Sequence, residues 1–135
     1  MWSRGVAQVR DAGEEAQGAA RDEGAVACVH LAPGALLEPG FFVRLNGSAL
    51  AHEAVVYVVH NDGYADGVPL PLAFANPCLA DLAPAFRLRG ARVWGAEALA
   101  EAIARAKGVC AAGHGPVWIE AMEGAAGAAG GGGLA

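Results

Sequence analysis

Two short stretches hold the residue types that could do chemistry. The first is His60-Asn61-Asp62-Gly63-Tyr64, a polar knot after the apolar run Val55–Val59. The second is Ala32–Gly40, APGALLEPG, after the apolar run Ala25–Leu31. Asp62, Asn61 and nearby carbonyls are hard oxygen donors. They suit Mg²⁺, which keeps several waters and takes one or two carboxylates plus substrate phosphates. A glycine loop ahead of a helix offers backbone N–H groups to a phosphate. If the two strands are neighbours, the loops face one crevice and read as a Mg-diphosphate site. The competing reading is a turn and nothing more, because Asn, Asp and Gly are turn residues anyway.

Other candidates fail sooner. His30, His52, His60 and His114 have no zinc-site spacing. Ser3 and Ser48 lie in no nucleophile elbow. Cys110 and His114 stand at i and i+4, but the residues between them read as a turn. Tyr64 and Trp94 read as packing residues, and Glu97 and Glu101 as a solvated helix face.

The elements that must position the knot follow from periodicity. Ala25–Leu31, Val55–His60, Ala91–Trp94 and Val117–Ala121 are short, apolar and β-branched, as buried strands are. Phe41–Glu53 puts Phe41, Phe42, Leu45, Ala49 and His52 near one helix face. Leu79–Leu88 reads as a short helix, and Gly95–Val109 as the clearest one. In the latter, acids near the start and bases near the end suit the helix dipole. Ala65–Leu79 holds three prolines and reads as a loop. Strands alternating with helices predict an α/β fold, three-layer α/β/α with a mostly parallel sheet. Residues 1–24 form a weakly helical N-terminal segment, 25–122 the domain, and 123–135 a Gly/Ala tail too poor in apolar surface to order itself.

Composition sets the limits. A chain of 135 residues allows one domain, and alanine dominates its 55% apolar share, which predicts a thin core. A net charge of −5 with scattered bases argues against a nucleic-acid partner. No apolar run is long enough to span a membrane. Cys28, Cys78 and Cys110 are odd in number and far apart, which fits free thiols acting as small apolar fillers. The expected setting is the cytoplasm, or the mitochondrial matrix or a plastid in a eukaryote.

Several stretches together resemble a known family. They are Ala32-Pro33-Gly34-Ala35, Leu45-Asn46, Asn61-Asp62-Gly63-Tyr64-Ala65, Arg92-Val93-Trp94-Gly95 and Gly115-Pro116-Val117-Trp118-Ile119-Glu120-Ala121. They resemble the α subunit of the thiamine-diphosphate-dependent decarboxylase component of 2-oxo acid dehydrogenase complexes, with a slight lean toward branched-chain or broad-specificity members over the pyruvate type. The resemblance runs from near Ala25 to Met122. It implies the thiamine-diphosphate-binding fold, a thiamine diphosphate and Mg²⁺ cofactor pair, and oxidative decarboxylation of a 2-oxo acid with acyl transfer to lipoyl. It also implies an oligomer containing a β subunit, and a lipoyl-bearing transacylase as partner. In this family Gly-Asp-Gly-Ala and Asn-Asn-Gly-Tyr hold the metal and the diphosphate. Carried over, Gly34, Ala35 and Asp62 become cofactor-binding positions, and Asp62 and the Tyr64 carbonyl metal positions. Pro33 stands where the family has its metal-binding aspartate, and it brings neither a carboxylate nor an N–H. The family also has a substrate-binding N-terminal region and a histidine-bearing loop after Ile-Glu-Ala, neither matched here. The expectation is a truncated, degenerate copy, fragmentary or inactive alone. The alternatives are a pseudoenzyme or assembly module that keeps the sheet and subunit interface without the cofactor, and an unrelated flavodoxin-like domain.

Overall fold

The computed structural model describes residues 25–124, so the segment 1–24 and nearly all of the tail 123–135 lie outside the described residues. In chain order the strands are β1 (Ala27–Leu31), β2 (Val55–Asn61), β3 (Tyr64–Ala65), β4 (Val68–Pro69), β5 (Arg89–Trp94) and β6 (Val117–Met122). The helices are α1 (Phe41–Leu50), α2 (Leu70–Ala73), α3 (Leu82–Ala85) and α4 (Ala96–Ala111), with 3-10 turns at Pro33–Leu37 and Leu79–Asp81.

Four strands pair in parallel in the order β1-β2-β6-β5. The β-branched run Val55–Val59 is buried throughout, and so is every residue of β6. Strands buried on both faces need no polar alternation, and these two are the central pair. The chain moves from β1 to β2 in one direction along the sheet and from β5 to β6 in the other. Right-handed crossovers then send α1 and α4 to opposite faces. On one face Phe41, Leu45 and Leu36 pack with Val29, Leu31, Tyr57 and Trp118. Burying Phe41 or Leu45 contributes about 1.5–3 kcal/mol each. On the other face Ala102, Ala106 and Cys110 of α4 meet Val56, Val58 and Ile119. Alanines supply three of the eight buried residues of that layer. A Schellman motif ends α4: Gly113 takes φ 86, its N–H donates to the Cys110 carbonyl, and the His114 N–H to the Val109 carbonyl.

Three local expectations are corrected. Phe42 is 44% exposed and stacks on Phe86 at 6.0 Å, so Ser48 rather than Phe42 joins Phe41 and Leu45 on the buried face of α1. The helix expected over 79–88 is a 3-10 turn followed by the single turn α3, because the chain bends at Arg87 (φ 57) to begin β5. The loop expected over 65–79 contains a two-residue hairpin, β3 with β4, and the one-turn α2. Asp66 (φ 50) and Gly67 (φ 84) close that hairpin with the two positive φ angles of a type I′ turn.

Candidate functional site

Because β1 pairs with β2, the loops that leave their carboxyl ends lie side by side. Between them is a cleft of about 460 Å³, walled by Pro33 and Gly34 on one side and by Asp62, Tyr64 and Asp66 on the other. The two stretches singled out by residue type do share one crevice. A larger cavity of about 770 Å³ lies elsewhere, beside His52, Arg87, Arg89 and His114, and takes in none of the cofactor-binding or metal positions the resemblance implies.

The knot is also a turn, as the competing reading has it. Asn61 Oδ1 accepts the Gly63 N–H at 2.8 Å, and Asp62 Oδ1 accepts the Tyr64 N–H at 3.1 Å. These are Asx turns. Asn61 points inward: it is 2% exposed, and its Nδ2 donates to Glu120 Oε2 at 2.6 Å. Only Asp62 of the pair presents a side chain to the cleft.

A Mg-diphosphate group does not fit these residues as they stand. The Gly34 surface, which would meet a phosphate, is roofed by the Asp66 carboxylate: a Cβ added at Gly34 would lie 2.5 Å from Asp66 Oδ1. The Ala35 N–H is committed to the Ala32 carbonyl at 3.0 Å, within the 3-10 turn that Pro33 opens. That turn separates Gly34 from the start of α1, so the helix N-terminus is not the donor set expected from sequence. Among the described residues no cluster of three or more His, Cys, Asp or Glu side chains is arranged to hold a metal ion. The side chains lining the cleft include three carboxylates, of Asp62, Asp66 and Glu123, and no lysine or arginine.

Two constellations escaped the sequence reading. The first is Glu120, fully buried with no exposed area. Its carboxylate accepts from Asn61 Nδ2 at 2.6 Å and the Ala80 N–H at 2.9 Å, and forms an ion pair with Arg92, whose Nε lies 3.1 Å away and donates its hydrogen to Met122 Sδ. Glu120 thereby ties β6 to β2, to β5 and to the 79–81 turn. The second is a chain of contacts. Cys28 Sγ lies 3.6 Å from His30 Nε2, His30 Nδ1 lies 2.7 Å from His60 Nε2, and His60 Nδ1 contacts Glu123 Oε2. All three cysteines are free: Cys110 fills the core under α4 and donates to the Val55 carbonyl, Cys28 packs against the same core, and Cys28 and Cys78 are half-buried. The Cys110–His114 pair is not formed as a hydrogen bond, since the Schellman turn separates them and Cys110 bonds elsewhere. The only local signal for the second constellation was the matching strand parity of His30 and His60.

The sequence model of the family described as dehydrogenase E1 component matches residues 5–123. No curated protein matches the chain. Among the described residues no helix is long and apolar enough to cross a membrane.

Proposed function

The chain belongs to the dehydrogenase E1 component family, and we propose from that premise that it is an α-subunit-type module whose cleft does not seat Mg²⁺-thiamine diphosphate. The family is generally dependent on thiamine diphosphate and generally works with a β subunit and a transacylase. The proposed role is assembly: the module offers its sheet and helix faces to partners of a 2-oxo acid dehydrogenase complex without contributing chemistry. Asp62 and Tyr64 mark the position of the site and Gly34 its opposite wall, while Ala35 is fully buried.

One observation carries this reading: the Asp66 carboxylate over Gly34, on a loop where Pro33 supplies no carboxylate. Two like unit charges at 4 Å near a protein surface repel by about 4 kcal/mol. That is roughly a thousandfold in affinity. Asp66 also favours a second reading. Swung off Gly34, it would supply the carboxylate that Pro33 lacks.

Titration calorimetry with Mg²⁺ and thiamine diphosphate separates the two. The first reading expects no binding by the native chain at about 1 mM ligand, and a gain when Pro33→Asp is combined with Asp66→Ala. Micromolar binding by the native chain, lost in Asp66→Ala, would establish the second reading and overturn the first.

A further inference from the structure

The cavity of about 770 Å³ is unused by the proposed assembly role. It lies at the amino ends of the parallel strands, where Arg89 opens β5 and Pro116 precedes β6. The cleft between Gly34 and Asp62 lies at their carboxyl ends. The two differ in sign. Arg87, Arg89, His52 and His114 line the larger cavity, and its lining contains no Asp or Glu. The other cleft is lined by three carboxylates and by no lysine or arginine. A concave surface carrying one sign of charge between apolar walls focuses its field on a ligand of the opposite sign.

Arginine gathers there although the chain as a whole carries a net charge of −5. A guanidinium keeps its charge at any working pH and offers a planar fork of N–H donors. Among the described residues neither Arg87 nor Arg89 has an ion-pair partner, so the domain leaves their charge unanswered. An imidazole adds an N–H donor in either protonation state. His52 and His114 follow the ends of α1 and α4, where a cation also suits the helix dipole. Arg87 and Arg89 follow only the single turn α3, so the dipole does not account for them. The backbone gives a second, independent sign. Among the described residues three non-glycine residues take positive φ, and two of them, His52 at 50 and Arg87 at 57, line this cavity. Side chains held in the left-handed region cost conformational energy, and such residues gather at ligand clamps.

We propose that this cavity binds a small organic phosphate ester, with Arg87 and Arg89 clamping the phosphate and Phe86 and Leu50 meeting its apolar part. A phosphate presents its charge and its acceptor oxygens from one compact group, and guanidinium forks pair with such oxygens two at a time. Two arginines on either side of Leu88 suit that group better than a lone carboxylate. His52 and His114 supply further donors. The volume is that of a small-molecule site, which runs from about 300 to 1,000 Å³. Leu50 lines the same cavity and is 74% exposed, so a bare phosphate would leave apolar surface uncovered that an ester would bury. The cavity shares no residue with the cleft at the carboxyl ends of the strands, so the proposal stands apart from the fate of thiamine diphosphate there.

The test uses the full chain and phenyl phosphate, titrated by calorimetry at about 0.1 M salt. The dissociation constant should fall below about 1 mM. Inorganic phosphate should bind at least about tenfold more weakly, because it leaves the apolar wall uncovered. Arg87→Gln and Arg89→Gln should each weaken phenyl phosphate at least about tenfold, the size of a lost charged hydrogen bond. Both side chains are exposed, and circular dichroism checks that each variant is folded. Arg105→Gln, on α4 outside the cavity, should bind as the native chain does. No heat of binding at about 10 mM phenyl phosphate overturns the proposal without recourse to any variant. So does unchanged binding in both cavity variants, and so does an equal loss in Arg105→Gln, which would mean general charge attraction. A hexaglutamate peptide held more tightly than phenyl phosphate would replace the phosphate ester with an acidic peptide as the occupant.

Discussion

Replacing Arg92 with Met tests the internal clamp on Glu120. The Arg92 side chain is 23% exposed, and its Nε meets a Glu120 carboxylate that has no exposed area. Met keeps the aliphatic stem but removes the guanidinium. Breaking a buried pair by deleting one partner costs about 3–5 kcal/mol. Two features lower that figure here. Glu120 keeps the Asn61 and Ala80 donors, and the partly exposed Arg92 position lets water approach. The expected loss is about 2–3 kcal/mol, in line with a buried charge that loses one of its partners. For a domain of this size that lowers Tm by roughly 7–15 °C. Urea unfolding followed by circular dichroism gives the free energy directly. Because the clamp is buried, the loss should persist at 0.5 M salt as well as at low salt, where a surface pair would be screened. A loss under about 0.5 kcal/mol, the level of an ordinary surface substitution, with an unchanged m-value, would refute the clamp. A loss that vanished in salt would refute its burial.

Further predictions concern single contacts. Gly34→Ala places a Cβ 2.5 Å from Asp66 Oδ1, so it should destabilise by about 1–3 kcal/mol, and Asp66→Ala in the same chain should recover most of that in a denaturation curve. Burial pushes the Tyr57 hydroxyl up to about 12 from an ordinary 10.0, against a lesser opposing effect of its hydrogen bond to Ser48. The raised value means the phenol's stabilising contribution is complete below pH 10.0 and drains away as pH climbs to about 12. Tyr57→Phe should remove that alkaline loss while costing about 1 kcal/mol at neutral pH for the lost bond to Ser48. Stability measured from pH 8 to 12 shows whether the slope disappears.

Much of the frame is legible in the residues themselves. Val55–Val59 is β-branched without alternation, and a strand with that pattern must be covered on both faces. Gly115-Pro116 and Gly113 punctuate the chain where backbone sterics allow little else, so the end of α4 could be placed to within a turn. The family was legible because its motifs are contiguous. Phe42 was misjudged because a helical period fixes only which residues share a stripe. Where the buried edge of that stripe falls depends on what packs against it, and Phe86 comes from a distant loop.

The sequence by itself determined the four strands of the main sheet, the two long helices, the parallel class and the position of the knot, because local sterics and hydrophobic period act between near neighbours. It also determined that Pro33 brings no carboxylate. Tertiary structure alone decided that β6 lies between β2 and β5, since all four strands are apolar and nothing local ranks them. It decided that the Asp66-Gly67 hairpin folds a carboxylate over Gly34. It also brought together Cys28, His30, His60 and Glu123, which come from two neighbouring strands and the residue after a third. Contacts of that kind arise from strand register and packing across the chain, and only the assembled sheet fixes them.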